Sequence, residues 1–139
     1  MRRLLAGPVG GLLIAVLLLT AGCTIGEQPP LPNTSWKLTG WAEPSPPPTN
    51  LTMTVAFEAG KLNGSAGINN YNGTFVSEVD GSLTIRLGPM TLMAGPETDM
   101  KAEQTFLDRL GAARGYRIKD NTLVLSGADR KDSMTFARG

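Results

Sequence analysis

The 139-residue chain contains no histidine and one cysteine, Cys23. Without imidazole there can be no Ser-His-Asp triad, no Cys-His pair and no metal site built on histidine. A single thiol rules out a disulfide within the chain, and no metal site or cofactor is expected. Neither charge dominates, with thirteen Lys and Arg against twelve Asp and Glu. That balance gives no electrostatic reason to expect nucleic acid as a partner.

What is present begins with an export signal. Arg2 and Arg3 precede an uncharged stretch from Leu4 to Gly22, Leu-rich at its centre, which ends in small residues before Cys23. Leu19-Thr20-Ala21-Gly22-Cys23 resembles the bacterial lipobox in its relaxed form, with Thr20 in the usual place and Leu19 one residue further out. On this reading residues 1–22 are a lipoprotein signal peptide and Cys23 receives diacylglycerol. The alternatives are a retained membrane span, which Gly7-Pro8 and Gly10-Gly11 would interrupt, and an ordinary secretory signal. A diacylglyceryl cysteine carries two chains, enough for stable anchoring, and implies palmitate-like acyl groups and an extracytoplasmic domain on a bacterial membrane. Loss of residues 1–22 leaves eleven basic against twelve acidic residues, a net charge of −1.

Residues 23–32 run through the Pro-rich stretch "TIGEQPPLP" and read as a stiff tether. Residues 33–139 are the size of one domain. Strands are expected over Ser35–Trp41, Leu51–Phe57, Leu62–Ala66, Thr74–Val79 and Ser82–Leu87, where apolar residues alternate with polar ones. Asp80-Gly81 is a hairpin turn, and Gly88-Pro89 is expected to end its second strand. One helix is expected over Glu97–Ala112, after Pro96, with Met100, Phe106, Leu107 and Leu110 on one face and Glu103 beside them. Short strands follow over Tyr116–Lys119, Thr122–Ser126 and Ser133–Ala137. The class is α+β: one small domain, mainly antiparallel sheet, curled into an incomplete barrel and packed with the helix.

Chemistry has few places to reside. Glu97, Asp99, Glu103 and Asp108 form the densest group of carboxylates, and the bland reading is a helix start with a solvated face. The loop "GSAGINNYNGTF" lacks the lysine and following helix of a phosphate cradle. Gly64, Gly67, Asn69, Asn70 and Gly73 in it read as backbone devices, with Asn-Gly at 63–64 and 72–73 favouring turns. A binding role for the loop is the alternative. Met93, Met100 and Phe106 are candidates to line an apolar cavity, against the plainer reading of core.

Several stretches together resemble the META domain family, which includes HslJ-like heat-shock proteins. Trp36-Lys37-Leu38 resembles its opening W-x-L, and Gly64-x-x-Gly67-Ile68-Asn69 with Gly73 resembles G-x-x-G-C-N-x-x-x-G. Thr91 to Pro96 resembles T-x-M-A-C-P, and Glu103-x-x-Phe106-Leu107-x-x-Leu110 resembles the helix that follows. Tyr116, Leu123 to Leu125 and Met134-Thr135-Phe136 fit the family's end. Ile68 and Gly95 stand where many relatives have cysteine. If those cysteines pair in relatives, packing by Ile68 must replace the link here. The resemblance implies a non-enzymatic envelope lipoprotein with a role in envelope maintenance or stress tolerance. Its expected partners are the membrane, through Cys23, and an envelope protein or lipid. The fold's likeness to lipid-binding pilot proteins implies an alternative, a carrier or chaperone for a lipid or apolar peptide.

Overall fold

The computed structural model describes residues 28–43 and 45–139. Cys23 and the leader lie outside the described residues. Eight strands and one helix follow in the order β1 (Thr34–Trp41), β2 (Thr54–Phe57), β3 (Lys61–Ser65), β4 (Asn70–Ser77), β5 (Leu83–Met90), α1 (Glu97–Gly111), β6 (Gly115–Lys119), β7 (Thr122–Ser126) and β8 (Asp132–Arg138). They form one antiparallel sheet in the order β5-β4-β3-β2-β1-β8-β7-β6. Two meanders, β1–β5 and β6–β8, are joined by the pairing of β1 with β8.

Alternation decides which side of this sheet is filled. Trp36, Val55, Phe57, Leu62, Tyr71, Phe75, Ile85, Leu123, Leu125 and Phe136 all face one buried cluster, while their strand neighbours face outwards. The sheet curls around that cluster, and the two edge strands, β5 and β6, come together at one end only. There Ser82 bridges Gly115, and Leu83 and Tyr116 donate backbone bonds to Arg114 and Gly81 at 3.0 and 2.8 Å. Helix α1 supplies Ala102, Phe106, Leu107 and Leu110 to the same cluster, so it covers the gap that the unpaired parts of the edges leave. The result is the incomplete barrel expected from the sequence.

The helix starts without a side-chain cap. The Pro96 carbonyl instead accepts Asp99 and Met100 at 3.0 Å, with Glu97 and Asp99 in the first turn and Arg109 in the last, the arrangement the helix dipole favours.

Three local expectations are corrected. Strand β5 does not end at Gly88-Pro89 but runs through it to Met90, with a register shift opposite Tyr71 and Gly73. Proline is tolerated because β5 is an edge strand and the irregularity lifts the position out of the ladder. The tether does not extend to Pro32. Gln28 donates its backbone N–H to Val79 at 2.9 Å and accepts Ile118 N–H on its side chain at 3.1 Å. Leu31 is wholly buried in the core, a burial worth roughly 1.5–3 kcal/mol, so the folded unit includes residues from Gln28 onwards. Met100, expected on the buried helix face, is exposed instead, with Ala102 taking its place in the core.

Candidate functional site

The glycine- and asparagine-rich segment is mostly strand. Gly64 and Ser65 complete β3, and Asn70 to Phe75 open β4. Only residues 66–69 turn the chain, with Ala66 N–H bonded to the Asn69 carbonyl at 2.8 Å. The two Asn-Gly pairs therefore make no turns: Asn63 lies opposite Asn72, Gly64 opposite Tyr71 and Gly73 opposite Leu62. Their glycines answer to proximity. A Cβ on Gly64 would run into the Thr54 carbonyl, and one on Gly73 would sit 2.5 Å from the Arg86 carbonyl. Gly67 alone of these three has positive φ, 116°, where glycine is the residue without a steric penalty.

The turn is pinned by two side chains. Asn69 is buried, and its amide group donates to the Met93 carbonyl at 3.1 Å and to Glu103 Oε1 at 2.7 Å. Its Oδ1 accepts Met93 N–H at 2.6 Å and the Thr91 hydroxyl at 2.9 Å. Glu103, 4% exposed, takes the Ile68 and Asn69 backbone N–H groups on Oε2 at 3.0 and 2.6 Å. One carboxylate and one carboxamide thereby tie the β3–β4 turn, the segment before the helix and the helix itself. Asn70 contributes by its main chain only, through bonds to Thr91, and is exposed.

Packing reinforces this junction. A Cβ on Gly95 would collide with the Ile68 side chain, so the two positions at which the family resemblance marks a departure from cysteine are in contact here as isoleucine against a glycine.

The four helix carboxylates do not converge. Glu97 pairs with Lys101 at 2.8 Å on the surface, Asp99 faces Asn50 at 3.4 Å, Asp108 accepts Gln104 at 2.7 Å, and Glu103 is enclosed by the turn. Among the described residues, no group of three or more His, Cys, Asp or Glu is placed to hold a metal ion.

Met93, Met100 and Phe106 do not share a cavity. Phe106 is fully buried, edge-on to Tyr71 and Phe136 at centroid distances of 5.9 and 6.5 Å. Met93 and Met100 instead flank a surface groove of about 290 Å³ beside the exposed Leu92. A phenylalanine on the inner helix face reaches the barrel axis, whereas the methionines sit on the segment leading into the helix and on its outer first turn.

The role of Glu103 was missed by sequence reasoning although its signal was present. It occupies the first place of the apolar spacing 103, 106, 107, 110, where a solvated carboxylate does not belong. Burial also perturbs two tyrosines. It pushes the Tyr71 phenol well above its ordinary value, and the phenol donates to the Thr54 carbonyl at 2.6 Å. Tyr116 is raised by burial and by the nearby Asp80 and Glu78, while hydrogen bonds from Ser82 lower Asp80.

The fold is shared with solved proteins of low sequence identity. A solution structure of a protein from Burkholderia xenovorans superposes with a TM-score of 0.59 at 23% identity, covering 78% of this chain and 83% of its own. A crystal structure of a DUF4847 family protein from Bacteroides vulgatus gives 0.54 at 16% identity, covering 77% and 93%. No curated protein matches the sequence. The model of the META domain family matches residues 29–139, from just after Gln28 to the end of the sequence. A match over the entire described barrel, including the turn, the junction and the helix, places the chain in the META domain family.

Proposed function

We propose that this META-family protein is a lipid-anchored lipoprotein on the extracytoplasmic side of a bacterial membrane, with a non-enzymatic role in envelope maintenance or stress tolerance. The observation that carries the reading is the lone Cys23 after an apolar leader, five positions before Gln28, the first described residue, which is bonded to the barrel. The absence of catalytic chemistry is inferred from how the polar groups are used. Asn69 and Glu103, the most buried polar pair, are consumed by internal hydrogen bonds, and the other helix carboxylates point apart.

Metabolic labelling tests the anchor. The full chain, expressed in a bacterium with an alkyne analogue of palmitate, should be labelled, sediment with membranes and begin at Cys23, and Cys23→Ser should lose all three properties. An unlabelled wild-type chain, or one cut elsewhere, would sink the reading. A strain lacking the protein should then survive heat or membrane-active drugs less well, with rescue by the wild type and not by Cys23→Ser.

A carrier or chaperone reading keeps one supporting observation, the exposed Leu92, Met93 and Met100 beside the junction. It moves the binding of a lipid or apolar peptide from the barrel interior to this surface groove. Native mass spectrometry of the chain from envelope extract should find a bound mass that Met93→Glu abolishes if the groove is used.

A further inference from the structure

The end of the barrel where β5 meets β6 is also the end at which the chain from Cys23 arrives. Gln28 is fixed there by its bonds to Val79 and Ile118. Gln28 is five positions after Cys23, so their Cα atoms lie within about 18 Å of one another whatever path the chain takes. An anchored Cys23 therefore holds this end of the domain close to the bilayer.

Beside Gln28 opens a cleft of about 580 Å³. Arg114, Arg117 and Arg130 line it, and Asp80 is the acidic side chain among its described lining residues. Three of the eleven basic residues that follow Cys23 thus gather on one end of a nearly neutral protein. Arg114 is held in place by donating to the Gly111 and Ala113 carbonyls at 3.1 and 2.7 Å. Arg117 is half-exposed and pairs with Asp132 at 3.1 Å, and Arg130 is exposed. Asp80 is turned into its own hairpin, where it accepts Ser82 N–H at 2.9 Å.

We propose that this arginine-lined end is a docking surface for the phosphates of an anionic phospholipid bilayer, so that the domain rests on the membrane by its seam. The proposal rests on the anchor at Cys23 described above. Two observations select the occupant: the short chain to the anchor and the local excess of guanidinium groups, whose planar fork suits phosphate oxygens. Each arginine near an anionic surface biases the orientation by roughly fivefold, with Asp80, Asp132 and the neighbouring Glu78 and Asp129 offsetting part of the sum. The β3–β4 turn is bound to Glu103, and the eight residues from there to Gly111 carry α1 about 12 Å towards this end. The two ends are therefore distinguishable from the membrane.

The test uses the chain from Cys23 onwards, coupled through its only thiol to a maleimide lipid in nanodiscs of phosphatidylcholine, with or without phosphatidylglycerol. The coupling makes the result independent of whether a cell lipidates Cys23. A gadolinium chelate on lipid headgroups broadens nearby amide signals. On anionic discs Gly115, Arg117 and Gly127 should relax several-fold faster than Ala66, Gly67 and Asn69. On neutral discs, or in about 0.5 M salt, which shortens the screening length to a few ångströms, that contrast should shrink. Arg117→Gln with Arg130→Gln should reduce the orientational bias roughly twenty-five-fold, while Lys61→Gln with Arg86→Gln should leave it unchanged. Equal relaxation at both ends on anionic discs, or a contrast indifferent to lipid charge and to the arginine pair, would overturn the proposal. An unlabelled Cys23 in cells would overturn the anchor alone, since the coupled chain reads the surface separately.

Discussion

The curled sheet is closed in two places, and the two closures are made differently. Beside the turn of residues 66–69, side chains do the work: Asn69 and Glu103 bind three segments, and Ile68 packs into the space over Gly95. At the β5–β6 seam the main chain does most of it, through Leu83 to Arg114, Tyr116 to Gly81 and Gln28 to Val79. A closure built of side chains depends on residue identity at a few positions. One built of backbone depends on shape, and tolerates substitution wherever the new side chain fits.

The largest effect should come from breaking the side-chain closure. Glu103→Ala leaves the Ile68 and Asn69 N–H groups and the Asn69 amide without their acceptor, and should lower unfolding free energy in urea by about 3–5 kcal/mol. Glu103→Gln should lose less, since one oxygen survives as an acceptor.

A covalent tie should sharpen the contrast. In a Cys23→Ser background, Ile68→Cys with Gly95→Cys should cross-link under oxidation and raise stability by about 2–4 kcal/mol. It should also restore part of what Glu103→Ala removes. Failure of the pair to oxidise in the folded protein would show that the contact between these positions is wrong.

Crowding next to each closure should produce smaller losses. Gly64→Ala forces a methyl against the Thr54 carbonyl and should cost about 1–3 kcal/mol, whereas Gly40→Ala meets open space and should not disturb packing. At the seam, Gly81 has φ 89° and its Cβ would lie 2.9 Å from the Tyr116 carbonyl. Gly81→Ala should therefore destabilise by about 1–2 kcal/mol from backbone strain.

The smallest effect is a pH dependence present at both closures. The phenols of Tyr71, near the turn, and Tyr116, at the seam, titrate in the folded state above their ordinary value of 10.0. Native protein then holds protons that the unfolded chain releases as pH rises past that value. Stability is full below about pH 9 and falls through the alkaline range. Thermal melting across that range should show the fall, and Tyr71→Phe should remove more of the slope than Tyr116→Phe, because Tyr71 is more deeply buried.

How far these closures could be read from the chain follows from their material. The alternation in Met53–Phe57, Leu83–Leu87 and Leu123–Leu125 identifies strands and their inner faces, because a half-buried sheet demands that period. From the sequence Asn69 reads as one of the loop's backbone devices, and Glu103 as a residue beside the apolar face, whereas both are buried and bonded to each other. The pairs Asn63-Gly64 and Asn72-Gly73 look like turns locally and are strand in the fold. Proximity of Thr54 and Arg86 selects glycine there, and a carbonyl from another strand leaves no mark beside the residue it crowds.

Sequence alone determined the strand content, the single helix, the lack of histidine and disulfide chemistry, and the family, since these depend on composition, period and motif order. Only the tertiary structure decided that the chain closes by a buried carboxylate at one end and by backbone at the other. It also decided that Gln28 and Leu31 belong to the barrel, and that Arg114, Arg117 and Arg130 share one cleft. Each of these is a meeting of residues far apart in the chain, and neither local propensity nor periodicity encodes which distant partner a group will meet.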